Sequence, residues 1–282
     1  MKNYFEGLYF KQQAGEYALA FIPAVHKDIN GRSASLQIVT DKKAYCVAFP
    51  IESVNMSRKD ASFAIGDNRF SLEGIHLEVH DDEVDLIGDL QFSALVRPKY
   101  DIMGPFQYVP LMECRHSVFS VRHDVSGTLM FNDMPLDFEK GTGYIEGDRG
   151  RSFPKRYLWS QCLHDDISLM LSAADIPFLG VSFTGIIGII SVRGVEYRIA
   201  TYLGAKPDFI GSGIAIVRQG EYTLAVHHQK GASELLSAPV QGAMTRRIRE
   251  SISSRVRYHF SKGKKVIFDF TSNCASFEDE YR

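Results

Sequence analysis

Apolar residues recur at every second position through most of this chain, and that period restricts it to β-structure. In Gly74-Ile75-His76-Leu77-Glu78-Val79-His80 the apolar side chains alternate with polar ones, as in a half-buried strand. Asp81-Asp82-Glu83 then reads as a turn, and Val84-Asp85-Leu86 resumes the alternation. Further turn signals fall at Asn30-Gly31, Gly66-Asp67-Asn68, Asn132-Asp133, Arg193-Gly194 and Gln219-Gly220. No segment keeps a helical period over several turns. The longest predicted strand runs from Met244 to Phe260. Its even positions, including Ile248, Ile252, Val256, Tyr258 and Phe260, make a largely apolar face, and its odd positions are polar or basic. Glu250 falls in the middle of the apolar face. Many short strands with frequent turns predict an all-β sandwich or barrel.

An internal repeat divides the chain. Tyr4-Phe5-Glu6-Gly7 is echoed by Tyr144-Ile145-Glu146-Gly147 at a separation of 140 residues. Leu111-Met112-Glu113 is echoed by Ile248-Arg249-Glu250 at 137. Two matches near half the chain length predict a duplication with a boundary near Asp137, giving units 1–137 and 138–282. Val109, Leu111, Glu113, Phe119 and Val121 share one parity, which predicts Glu113 on the apolar face of a strand.

Composition narrows the function classes. The 282 residues carry a formal net charge of -2, with 45% hydrophobic and 23% charged residues. Clustered positive charge is what nucleic acid or an anionic membrane requires, so no nucleic-acid partner is expected, and at most a weak association with membrane surfaces. The start of the chain reads without a signal peptide. The longest apolar stretch, Ile176 to Val192, is short and broken by glycines, so no membrane span is expected. Cys46, Cys114, Cys162 and Cys274 are widely spaced, which predicts free thiols in the cytoplasm. The same spacing predicts no metal, and no glycine-rich phosphate loop points to a cofactor.

One segment is more specific: Gly143-Tyr144-Ile145-Glu146-Gly147-Asp148-Arg149-Gly150-Arg151-Ser152-Phe153-Pro154, leading through Trp159-Ser160-Gln161-Cys162. It resembles the signature of the tocopherol cyclase family, in which a G-Y-x-E stretch runs through G-x-x-F-P into W-x-Q-C. Tyr4-Phe5-Glu6-Gly7-Leu8-Tyr9-Phe10 is similar to that family's opening, and Met112-Glu113-Cys114-Arg115-His116 to its bacterial members. Leu8 stands where the family usually has tryptophan, and Arg149 where its plant members do. The resemblance implies two tandem lipocalin-like β units, the second carrying the signature. It also implies an activity that needs no cofactor and no metal: closure of a chroman ring on a prenylated hydroquinone.

Such a ring closure protonates an alkene, and the phenol oxygen captures the carbocation. A carboxylic acid kept neutral by burial suits the first step, and a base takes the phenol proton. Glu113 is the first candidate for the acid and Glu146 the second, with His116 as the base. Glu6, Tyr144, Arg149, Trp159, Gln161 and Glu250 are the candidates for substrate contact. Aromatic faces at Trp159, Tyr144, Tyr157 and Phe153 could stabilise a cation. Each residue also has a structural reading: Glu6 and Glu146 as halves of ion pairs, Trp159 as core, His116 as an ordinary strand histidine. The expected partner is a hydrophobic small molecule, a prenylated quinol or another isoprenoid. A non-catalytic carrier of an apolar ligand, or another polyene reaction such as hydration or a pericyclic closure, is the alternative.

Overall fold

Two of the predicted turns show how the sequence builds hairpins. Asn132 and Asp133 have φ of 48° and 65°, and Arg193 and Gly194 have φ of 51° and 77°. Each pair sits between directly paired residues, Phe131↔Met134 and Val192↔Val195. Positive φ at both central residues is the two-residue turn whose twist matches antiparallel strands.

The computed structural model describes residues 3–15, 17–109, 112–178, 181–229, 234–240 and 242–281. Among them there is no α-helix, only three short 3₁₀ turns at Ile51–Ser53, Gly104–Tyr108 and Thr201–Leu203. No helix is long and apolar enough to cross a membrane. The strands are β1 (Tyr4–Ala14), β2 (Tyr17–Asp28), β3 (Gly31–Val39), β4 (Ala44–Phe49), β5 (Val54–Ser57), β6 (Ser62–Ile65), β7 (Asn68–Phe70) and β8 (Gly74–His80). There follow β9 (Asp85–Val96), β10 (Cys114–Phe131), β11 (Met134–Asp137), β12 (Gly141–Gly150), β13 (Tyr157–His164), β14 (Ile167–Phe178) and β15 (Val181–Val192). The remainder are β16 (Val195–Arg198), β17 (Lys206–Gly211), β18 (Ile214–Gln219), β19 (Tyr222–His228), β20 (Glu234–Val240), β21 (Ala243–Lys262) and β22 (Lys265–Asp279).

Two sheets result. The first runs β4-β3-β2-β1-β12-β10-β9-β8-β7-β6-β5, with β11 beside β10. The second runs β16-β15-β14-β13-β22-β21-β19-β18-β17, with β20 beside β21. Over nine strands the two orders are the same, so the architecture is the all-β, lipocalin-like pair expected from the alternation. Each sheet has its own core. Phe10, Phe21, Leu36, Ile38, Phe63, Phe70, Leu77 and Ile145 fill the first. Leu158, Leu171, Ile190, Val217, Val226, Val256, Tyr258 and Phe260 fill the second. Burying each such side chain contributes roughly 1.5–3 kcal/mol.

The chain divides into two compact units, but not at residue 137. The first comprises Met1–Lys99, Cys114–Ser152 and Ala238–Arg246, and the second Tyr100–Glu113, Phe153–Ser237 and Arg247–Arg282. The reason lies in β12, which pairs with β1 and β10 and so closes the first sheet. Tyr4-Phe5-Glu6 and Tyr144-Ile145-Glu146 are therefore on neighbouring strands of one sheet, not equivalent places in two units. The structural repeat matches β1 with β13 and β12 with β22.

A second difference concerns Glu113. β10 starts at Cys114, after the 3₁₀ turn Gly104–Tyr108, so Glu113 lies in a bend and is half-buried. Leu111 is outside the described residues. The parity that joined Glu113 to Phe119 fails a second time farther along, because the pairing of β10 with β12 shifts between Val118 and Ser120.

Candidate functional site

The site is set by alternation on β10 and β12. Ile145 belongs to the first core, so Tyr144, Glu146 and Asp148 project from the opposite face of β12. The pairings His116↔Asp148 and Val118↔Glu146 bring Cys114 and His116 onto that same face. On the other side, β1 places Tyr9 opposite Glu146 and the buried Lys11 opposite Tyr144. Gly143, on the core face, has no room for a side chain. A Cβ there would stand 2.0 Å from Gln12 Oε1 and 2.2 Å from His123 Nε2.

His116 is held between two carboxylates. Its Nδ1 lies 3.0 Å from Asp148 Oδ1. Its Nε2 lies 3.1 Å from Glu146 Oε2, a charge contact whose angle falls short of a hydrogen bond. Tyr144 donates its hydroxyl to Glu146 Oε2 at 2.6 Å, and the Cys114 thiol donates to Asp148 Oδ1 at 3.3 Å. Glu146 is 5% exposed, so the charge it carries is well removed from water. Burial opposes a charged imidazole, but Glu146 and Asp148 outweigh it and hold the His116 pKa well above the ordinary histidine value. Burial and the same carboxylates push the Cys114 thiol and the Tyr144 phenol up. Cys114 is therefore a thiol and not a thiolate nucleophile.

His116, Glu146 and Asp148 each offer one ligand atom, all within 4.8 Å of one another. Spacing along the sequence did not suggest a metal, yet a sheet gathers residues that are far apart in the chain. The set suits a divalent ion by composition, while the 3.0 and 3.1 Å contacts are those of a histidine ion-paired with two carboxylates.

The other candidates fall elsewhere. Glu6 is buried and takes two hydrogen bonds from Arg58, Nε to Oε1 at 2.5 Å and Nη2 to Oε2 at 2.6 Å. Tyr4 also donates to Glu6, and this pairing raises the Tyr4 pKa to about 12 together with burial, its largest cause. Glu6 thus meets the ion-pair reading, with Arg58 rather than Arg149 as partner. Arg149 pairs in register with Glu6 and Arg115, on the face of β12 opposite Glu146. Trp159 and Gln161 are buried on β13, and neither amide atom of Gln161 has a hydrogen-bond partner among the described residues. Trp159 faces Glu278 across the β13–β22 pair, and Tyr157 donates to Glu278. Glu250 lies on β21 opposite Glu278, and its side chain is outside the described set. Sequence reasoning missed Asp148, Cys114, Lys11 and Glu278. Asp148 was within reach of it, two residues from Glu146 and thus on the same strand face.

No family model matches the chain, and no curated protein matches it. Solved structures do. CghA with Sch210972 is similar with a TM-score of 0.62 at 9% identity, over 98% of this chain and 88% of that one. A Nitrosomonas europaea protein assigned as an AttH gives 0.58 at 12%, over 100% and 93%. Kievitone hydratase from Nectria haematococca gives 0.56 at 10%, over 99% and 89%. At such identities the likeness establishes a shared all-β, lipocalin-like fold.

Proposed function

We propose that this protein is an enzyme that moves a proton on an alkene-bearing hydrophobic substrate, closing a ring or adding water without a redox cofactor. The substrate class is a prenylated hydroquinone or a related isoprenoid, as the tocopherol cyclase resemblance implies. The observation that carries this reading is the His116 imidazolium held between buried Glu146 and half-buried Asp148. The similarity to kievitone hydratase supports a catalytic use of the fold.

The geometry redistributes the expected roles. Two carboxylates favour the charged imidazole, so His116 enters the reaction as the group's proton carrier. Glu146 is the group to accept a proton from the attacking phenol or water oxygen. In the same step His116 delivers its proton to the alkene carbon as the oxygen bonds to the developing cation, and the proton taken by Glu146 returns to His116 afterwards. The proton count returns to its start, and the net change is an isomerisation or a hydration. Asp148 keeps the imidazole in place. Glu113, in a bend outside this group, has no part in the scheme.

The test is incubation with a prenylated hydroquinone in heavy water, followed by mass spectrometry. A product carrying one carbon-bound deuterium is expected, with the substrate's formula for cyclisation or with one added water for hydration. Recovery of unchanged substrate bound to the protein would replace the enzyme reading with that of a carrier.

A further inference from the structure

A cavity of about 590 Å³ opens in the first unit, on the opposite face of the β1–β12 pair from His116. Glu6 shares that face with Leu8 and Phe10 by alternation, and Val25 pairs with Glu6 across β1 and β2. Val25, Ile51, Val54 and Met56 form an apolar wall that is only partly buried, whereas Phe10, Phe21, Phe63 and Phe70 beneath it are closed off. Lys27, Arg32 and Arg151 stand on the rim. Glu6 is the one carboxylate among the lining residues, and Arg58 spans both its oxygens. The lining therefore carries four cationic side chains against one anionic one. His26 adds no charge near neutrality, because burial lowers its pKa to about 4.

We propose that this mouth is a second ligand site, separate from the His116 group, for an amphipathic monoanion: an apolar body against Val25, Ile51, Val54 and Met56, with a carboxylate-type head among Lys27, Arg32 and Arg151. The volume lies within the roughly 300–1,000 Å³ of small-molecule sites, and an apolar lining with a few placed polar groups is their usual make-up. Arg58 takes Glu6 out of competition with the head group. Without that pairing a buried carboxylate would repel any anion brought to this mouth.

The test is a fluorescence titration of the full chain with cis-parinaric acid, with its methyl ester as the neutral counterpart. Saturable binding of the acid is expected, roughly in the micromolar range, with the ester at least tenfold weaker. Lys27→Glu combined with Arg32→Glu should weaken the acid by tenfold or more and leave the ester unchanged. Met56→Trp should fill the wall and weaken both. The absence of saturable binding would overturn the proposal. Equal binding of acid and ester, unmoved by the charge reversal, would overturn it as well. Should Met56→Trp fail to fold, the charge-reversal pair decides alone, since both residues lie at the rim.

Discussion

Glu146 in the first sheet and Glu278 in the second occupy the same point of the same lattice. Glu146 faces Tyr9 on one neighbouring strand and Val118 on the other. Glu278 faces Trp159 and Glu250. Both are nearly buried, and a tyrosine donates a hydrogen bond to each. What differs is the second layer of neighbours. Glu146 has His116 at 3.1 Å, with Asp148 behind it. The fold thus places a carboxylate twice, and in the first sheet a histidine–aspartate pair stands beside it. Position is a property of the topology, whereas reactivity comes from what stands beside the carboxylate.

The largest consequence concerns turnover. Glu146→Gln keeps the shape and removes the proton acceptor, so conversion of a prenylated hydroquinone should fall by roughly 10²-fold or more. Glu278→Gln should change it by only a few-fold. Product formation by mass spectrometry in the two variants measures this directly, and equal losses would mean that the two carboxylates are not functionally distinct.

Stability separates the regions next. His116→Ala leaves two carboxylates facing each other in a buried place, and breaking a buried ion pair costs about 3–5 kcal/mol. Urea unfolding should register that as a large drop in midpoint with an unchanged slope. A cost below about 1 kcal/mol would show that Glu146 and Asp148 are not both ionised around a charged imidazole.

These expectations rest on features that the sequence showed unequally. Alternation and turn residues made the β-structure readable, because both are local: Ile75, Leu77 and Val79 face inward as their spacing demands. The long strand around 244–260 was visible for the same reason and is β21. The partition of strands between sheets was not visible. Whether β12 joins β1 or starts a new unit depends on pairing across more than 130 residues, and no local pattern encodes it. The His116–Glu146 contact has the same character: both residues were candidates, but only the register of β10 against β12 brings them together. Glu113 misled because parity was carried across a turn and a register shift.

The pH dependence of stability carries the comparison further. The His116 pKa is raised by folding. Its contribution is complete below the unfolded histidine value of about 6.5 and is lost as pH rises through the folded value. The native chain should therefore lose stability on the alkaline side, and His116→Gln should flatten that limb. Among the described residues the histidine whose pKa is raised is His116, so Glu278→Gln should leave the limb in place. The acid side has a different origin. Burial lowers His123 to about 3 and His26 to about 4. The unfolded chain takes up protons at these residues first, so stability falls as pH drops from about 6.5 towards those values. His123→Phe should shallow that limb. Unfolding free energies between pH 4 and 10 read both.

The smallest effect is the most discriminating, because it compares two phenols donating to two carboxylates in like positions. Tyr144→Phe removes the 2.6 Å hydrogen bond to Glu146, but His116 remains 3.1 Å from the same oxygen. The charge stays compensated, and the cost should be near 1 kcal/mol, the ordinary net worth of a hydrogen bond. Tyr157→Phe removes the donor to Glu278. A buried carboxylate that loses a donor costs more, about 1.5–3 kcal/mol for a hydrogen bond to a charged group. The order Tyr157→Phe above Tyr144→Phe is expected from the His116 contact, the two carboxylates being alike in register position and burial while their donors sit on the same strand in one case and on the neighbouring strand in the other. Parallel urea titrations of the two variants resolve a gap of this size. The reverse order would mean that His116 does not compensate Glu146, and the base assigned to the first sheet would then lose its physical ground.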